Sequence, residues 1–196
     1  MKTLIRANDE GKNIIDFKPV FELLNAELSS KGISLELVCA GGYVMQLHGY
    51  RGTADVDAFY ESDAETDGII RKVGDKFAIN KPDELWLNNS ITNMNPKPPD
   101  SSCELFFQFS NLTVKAVDII YLIGMKLSSG RGQDLKDVAR IVKDKNKQPL
   151  ELLSKLKDIG FNPDISIFLD AFGTAYGMEW LEDFYETHQA IITKYY

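Results

Sequence analysis

Ala40-Gly41-Gly42-Tyr43, followed shortly by Arg51-Gly52-Thr53-Ala54-Asp55-Val56-Asp57, is the stretch on which the fold of this chain turns. It begins at the end of an apolar run, Leu35 to Ala40, that reads as a strand. The diglycine leads into a short helix, Tyr43 to His48, which Gly49 stops. A second strand, Val56 to Tyr60, carries two carboxylates at its start. Alternate residues of a strand share a face, so Asp55 and Asp57 are expected to project together, about 7 Å apart along the strand. Aspartate is disfavoured in strands, and like charges this close repel unless a cation lies between them. Mg²⁺ takes a few carboxylate oxygens and leaves its other positions to water and phosphates. Glycines between a strand and a helix let backbone N–H groups approach a phosphate, and the helix N-terminus adds favourable partial charge. The plain alternatives are a tight turn for the glycines and a solvated edge strand for the acids. Arg51 can fork onto phosphate oxygens or pair with one acid. Thr53 can donate its hydroxyl or cap the turn before the strand.

Upstream, Asp16 can cap a helix whose apolar stripe is Phe17, Phe21, Leu24 and Leu28, with Gly32 ending it. Downstream, Ala64 to Val73 reads as helical and Lys81 to Ile91 is ambiguous. The prolines of Asn93 to Asp100 impose a loop. Glu104–Phe109 and Leu112–Val117 form a hairpin across Ser110-Asn111. From Asp118 onward the spacing becomes helical, with starts at Asp118, Asp134, Pro149, Asp164 and near Met178. The expected class is therefore α/β (α+β). A mixed sheet flanked by helices occupies residues 1–117, and a helical C-terminal region packed on it occupies 118–196.

The chain has 196 residues, 44% apolar and 26% charged, ordinary for a globular protein. No apolar run approaches the roughly 20 residues that cross a bilayer. Met1 to Arg6 meet Asp9 and Glu10 before any apolar core develops, which reads against a signal peptide. Cys39 and Cys103 sit in strand-like runs and make no disulfide framework, so a cytoplasmic location is expected. The net charge of −7 argues against a broad surface for duplex DNA. His48 and His188 are too few and too far apart to suggest a metal centre. Phe161, Phe168, Phe172, Tyr176, Trp180, Phe184 and Tyr185 recur mostly at helical spacing, which is core packing rather than base stacking. Tyr195 and Tyr196 receive no role.

The order Gly41-Gly42, then Arg51-x-Thr53-x-Asp55-x-Asp57, resembles the signature of minimal nucleotidyltransferases of the DNA polymerase-beta superfamily. More narrowly it is similar to the nucleotidyltransferase-like toxins of bacterial abortive-infection and type IV toxin–antitoxin systems. Those proteins continue with a lysine-bearing helix and an Arg-x-x-Asp-x-x-Asp element. Here Ile123-Gly124-Met125-Lys126-Leu127 and Arg131-Gly132-Gln133-Asp134-Leu135-Lys136-Asp137 follow in that order. Taken alone, Asp134 is a helix N-cap and Asp137 a first-turn acid complementing the dipole. The resemblance shifts both toward a site role, Asp137 more than Asp134.

The resemblance implies a nucleotidyltransferase fold and transfer of an NMP from an NTP to an acceptor hydroxyl. Asp55 and Asp57 would hold Mg²⁺, while Gly41, Gly42, Arg51 and Thr53 would bind the nucleotide. Lys126 would neutralise charge developing on transfer, and Asp137 would orient the acceptor or complete the metal shell. Members of the family supply a third acid from a later strand. Glu104 and Asp118 are the candidates, equally readable as an exposed strand residue and a helix cap. The toxin relatives imply a tRNA 3′ end as acceptor and an antitoxin protein as partner. Two alternatives stay open: a small cationic or hydroxylated acceptor such as an aminoglycoside, and a non-catalytic nucleotide- or protein-binding module of the same fold.

Overall fold

The computed structural model describes residues 5–7, 13–93 and 97–192. The expectations on Met1–Leu4, Asp9, Glu10, Tyr195 and Tyr196 lie outside the described residues, as do Met94, Asn95 and Pro96 of the proline-rich loop. The chain divides into two compact units, Met1–Asp118 and Ile119–Tyr196.

In the first unit β1 (Ile5–Ala7) pairs antiparallel with β2 (Asn13–Ile15). Helix α1 (Lys18–Lys31) follows, with Pro in its first turn and Gly32 closing it in the left-handed conformation at φ 68°. Asp16 does accept from the Lys18 amide at 3.2 Å, although Phe17 holds the cap position itself. The expected stripe is the buried one: Phe17, Phe21, Leu24 and Leu28 are all in the core.

Strand β3 (Leu35–Cys39) leads into α2 (Gly41–Leu47), and β4 (Val56–Phe59) into α3 (Ala64–Phe77). Asp63 caps α3 by accepting from the Thr66 amide at 2.7 Å. The ambiguous segment resolves into a bridge between Lys81 and Glu84, a two-residue strand β5 (Leu87–Asn88) and a 3₁₀ turn over Ser90–Asn93. The hairpin is β6 (Cys103–Gln108) with β7 (Leu112–Val117). These strands make one mixed five-stranded sheet in the order β5-β4-β3-β7-β6. Strand β3 runs parallel to β7 and antiparallel to β4, and β4 runs parallel to β5. A central strand covered on both faces reads as a continuous apolar run, and Leu37, Val38 and Cys39 are fully buried. Burial of Cys39 raises its thiol pKa and keeps it an inert core residue.

The core of this unit is anchored by aromatic rings. Trp86 stacks on Phe17 with centroids 6.0 Å apart, and Tyr43 meets Phe17 edge-on at 5.4 Å. The Trp86 indole N–H donates to the Ile70 carbonyl at 2.9 Å, which satisfies its polar edge inside the core.

The second unit is helical: α4 (Ile119–Ser129), α5 (Gly132–Asp144), α6 (Pro149–Asp158), α7 (Ile165–Tyr176) and α8 (Met178–Ile192). Asp164 caps α7 as expected, accepting from the Ser166 and Ile167 amides. Phe168, Phe172, Tyr176, Trp180 and Phe184 pack on one another, Phe161 meets Tyr121 edge-on at 4.9 Å, and Tyr185 is exposed rather than in the core. Trp180 stacks on Phe172 at 5.9 Å and on Phe184 at 5.1 Å, and His188 stacks on Phe184 at 4.3 Å. Among the described residues no helix is long and apolar enough to cross a membrane.

Candidate functional site

The first cluster forms where β3 ends and β4 begins. The Ala40 amide donates to the Asp57 carbonyl at 2.8 Å, fixing the two strand ends side by side. Gly41 then adopts φ +58°, and a Cβ there would lie 2.6 Å from Asp57 Oδ2. A Cβ on Gly42 would lie 2.6 Å from Thr53 Oγ1 and 3.3 Å from Arg51 Nη1. Any side chain at either position would displace the polar groups opposite, so the diglycine brings bare backbone directly against Asp57, Thr53 and Arg51. Gly41 thus faces Asp57, and Gly42 faces Thr53 and Arg51.

Asp55 stands in the bend just before β4 and only Asp57 is inside the strand, so strand alternation does not fix their relative aim. Local bonds fix Asp55 instead. Thr53 Oγ1 donates to Asp55 Oδ1 at 3.0 Å, and the Thr53 amide donates to Gln46 Oε1 at 3.0 Å. Gln46, on α2, in turn donates to the Ile15 carbonyl at 2.7 Å, tying the loop to β2. Arg51 Nη1 donates to the Gly52 carbonyl at 3.2 Å. The other oxygen of Asp55, Oδ2, accepts from Lys81 Nζ at 2.8 Å, and the same ammonium reaches Glu84 Oε2 at 2.7 Å. These two carboxylates raise the lysine pKa, the bond from Asp55 contributing most. On the far side of β4, Asn88 pairs in register with Asp57. Its Oδ1 accepts from the Ser90 amide and hydroxyl, while its buried Nδ2 has no partner among the described residues.

Sequence reasoning missed Gln46, Lys81, Glu84 and Asn88. Lys81 lies 26 residues from Asp55, and no local pattern encodes that approach.

Two carboxylates, Asp55 and Asp57, are the donor type that a hard cation such as Mg²⁺ takes, the remainder of its shell being left to water and phosphate oxygens. Among the described residues no group of three acidic, histidine or cysteine side chains is placed to hold a metal. Glu104 is not brought to the pair. Ala58 pairs with Cys39, Cys39 with Ala116 and Ala116 with Glu104. Glu104 therefore shares the row and face of Ala58, opposite to Asp57, on the far edge strand. Asp118 follows β7, and its amide donates to the Ser102 carbonyl at 2.8 Å.

The second cluster lies within the helical unit. Lys126, in the last turn of α4, is 4% exposed and donates to Asp134 Oδ1 at 2.8 Å and to Asp137 Oδ2 at 2.7 Å. Asp134 Oδ2 accepts from Ser129 Oγ at 2.7 Å and from Arg131 Nε at 2.8 Å. Asp137, fully buried, accepts from Gln133 Nε2 at 2.9 Å. Every carboxylate oxygen is thus engaged. Helix α5 starts at Gly132 with Arg131 at the cap position. Asp134 is therefore not the N-cap that its residue type suggests, but a buried first-turn acid on the same face as Asp137. Burial works to raise the Asp134 pKa, but the bonds from Lys126, Ser129 and Arg131 outweigh it and the carboxyl titrates below its ordinary value.

His48 holds the C-cap of α2 in the first unit, and His188 Nδ1 lies 3.0 Å from the Phe184 carbonyl in the second. No family model, curated protein or solved structure matches the chain.

Proposed function

We propose that this chain is a cytoplasmic Mg²⁺-dependent nucleotidyltransferase that moves an NMP from an NTP to an acceptor hydroxyl. The observation that supports it most is the contact of the Gly41-Gly42 backbone with Asp57, Thr53 and Arg51. A cation on the carboxylates would sit beside backbone N–H groups and a guanidinium, which is the setting a triphosphate needs. Asp55 and Asp57 would hold Mg²⁺, which when bound supplies charge neutralisation at the phosphates. Thr53 orients Asp55, and Gln46 holds Thr53. Arg51 offers a permanent positive charge next to Gly42. In line with the toxin-like motif order, the acceptor is a tRNA 3′ end and the partner an antitoxin protein. A small hydroxylated or cationic acceptor is the other outcome the test distinguishes.

A non-catalytic nucleotide-binding module is the second reading, and two observations favour it. Asp55 and Asp57 gain no third acid among the described residues. Lys126 and Asp137 are locked in a buried ion cluster, so a part in transfer requires breaking an ion pair that burial favours as structural.

The test is incubation with Mg²⁺ and each labelled NTP, together with total tRNA or a set of small amines and alcohols. Label in RNA or in a small product supports transfer and names the acceptor class, and Asp55→Ala or Asp57→Ala should abolish it. NTP binding without transfer by the wild type turns the choice to the module. No NTP binding at all overturns both.

A further inference from the structure

Lys81 reaches the first cluster from outside the Arg51–Asp57 stretch. Its ammonium lies on Asp55 Oδ2 at 2.8 Å and on Glu84 Oε2 at 2.7 Å. Lys81 and Glu84 belong to one tight turn, joined by backbone bonds of 3.0 and 3.4 Å between them. Glu84 is therefore a partner that Lys81 carries with it, whereas Asp55 is reached across 26 residues. The two oxygens of Asp55 are also treated differently. Thr53, held by Gln46, fixes Oδ1, while Oδ2 receives a side chain that is 48% exposed to solvent.

We propose that Lys81 is an exchangeable counter-ion of Asp55, which a divalent cation must displace to bind there. The inference rests on the metal-dependent reading above and names a regulation of that same site. A metal ion and an ammonium on the same carboxylate oxygen repel each other, so the two compete for Oδ2. The lysine keeps Glu84 when it leaves, so its charge is not stranded, and its exposure lets the side chain swing without disturbing the core. Asp55 is thereby neutralised while the site is free of metal. Metal bound alone has to compete with the lysine. Metal arriving with a triphosphate brings further ligands and wins more easily.

The test is a Mn²⁺ titration without nucleotide, following free Mn²⁺ by electron paramagnetic resonance. Lys81→Met is expected to bind Mn²⁺ about two- to fivefold more tightly than wild type, the worth of an exposed ion pair. Lys81→Arg keeps the charge and is expected to show no tightening. In an Asp55→Asn background, Lys81→Met is expected to bring none either. Equal Mn²⁺ binding by wild type and Lys81→Met overturns the exchange alone. So does equal tightening by the Arg and Met variants, since charge is then not the cause. Absence of Mn²⁺ binding in wild type and Lys81→Met alike overturns the exchange together with the metal reading.

Discussion

The two units each bring a lysine to an aspartate within a closely spaced acidic pair, yet the two clusters are built for opposite purposes. At Asp55 the carboxylate is a quarter exposed, and one of its oxygens is held by a half-exposed lysine. At Lys126 the ammonium and both acids are removed from water, and every carboxylate oxygen has a protein donor. The difference is one of burial, not of residue type. A solvated pair is worth little and exchanges partners easily. A buried one is costly to break because whatever remains is left charged and unpaired.

Substitution at the two lysines exposes that contrast most sharply. Lys126→Met strands Asp134 and Asp137 in the core, so urea unfolding is expected to show a loss of about 3–5 kcal/mol. Lys81→Met should cost under about 1 kcal/mol in the same measurement. Comparable losses at both sites would erase the distinction.

A smaller effect on stability, with a large one on function, is expected at the diglycine. Gly41→Ala imposes φ +58° on a residue with a Cβ and pushes on Asp57 Oδ2. Stability should fall by about 1–2 kcal/mol, while labelled-nucleotide binding is lost. Binding unchanged in a folded Gly41→Ala protein would remove the glycine turn from the proposed site.

The gentlest probe is pH. The Asp134 carboxyl is depressed in the folded protein from an ordinary value of 3.8. The unfolded chain therefore takes up this proton first, so the stabilisation is present above about pH 4 and fades as pH falls through the folded value. Unfolding free energies measured between about pH 6 and pH 2 should fall less steeply in Asp134→Asn than in wild type.

Much of the fold was legible because its elements carry local signals. The stripe of α1, the apolar β3 and the turn at Ser110-Asn111 are written in period and turn chemistry, and those elements stand as read. Strand β5 is not, since two residues carry no period, and its place comes from pairing Leu87 with Val56. Element starts shifted where a cap was inferred from residue type alone. Asp134 looks like a cap but is buried on Lys126, and α2 begins at Gly41 itself. At the site, the six residues of the glycine and aspartate stretch are near neighbours in sequence, and loop geometry gathers them. Lys81, Glu84, Gln46 and Asn88 enter through tertiary approach, which single-sequence patterns do not encode.

Trp86 and Trp180, the two tryptophans of the chain, fall one to each unit. Trp86 is 1% exposed, and its carbonyl accepts from the Val56 amide at 2.7 Å, one residue from Asp55. Trp180 is half-buried among Phe172, Tyr176 and Phe184. The protein therefore carries two native fluorophores in unlike surroundings. Replacing either one with phenylalanine leaves an optical reporter of a single unit, and the one at Trp86 lies within reach of events at the aspartates.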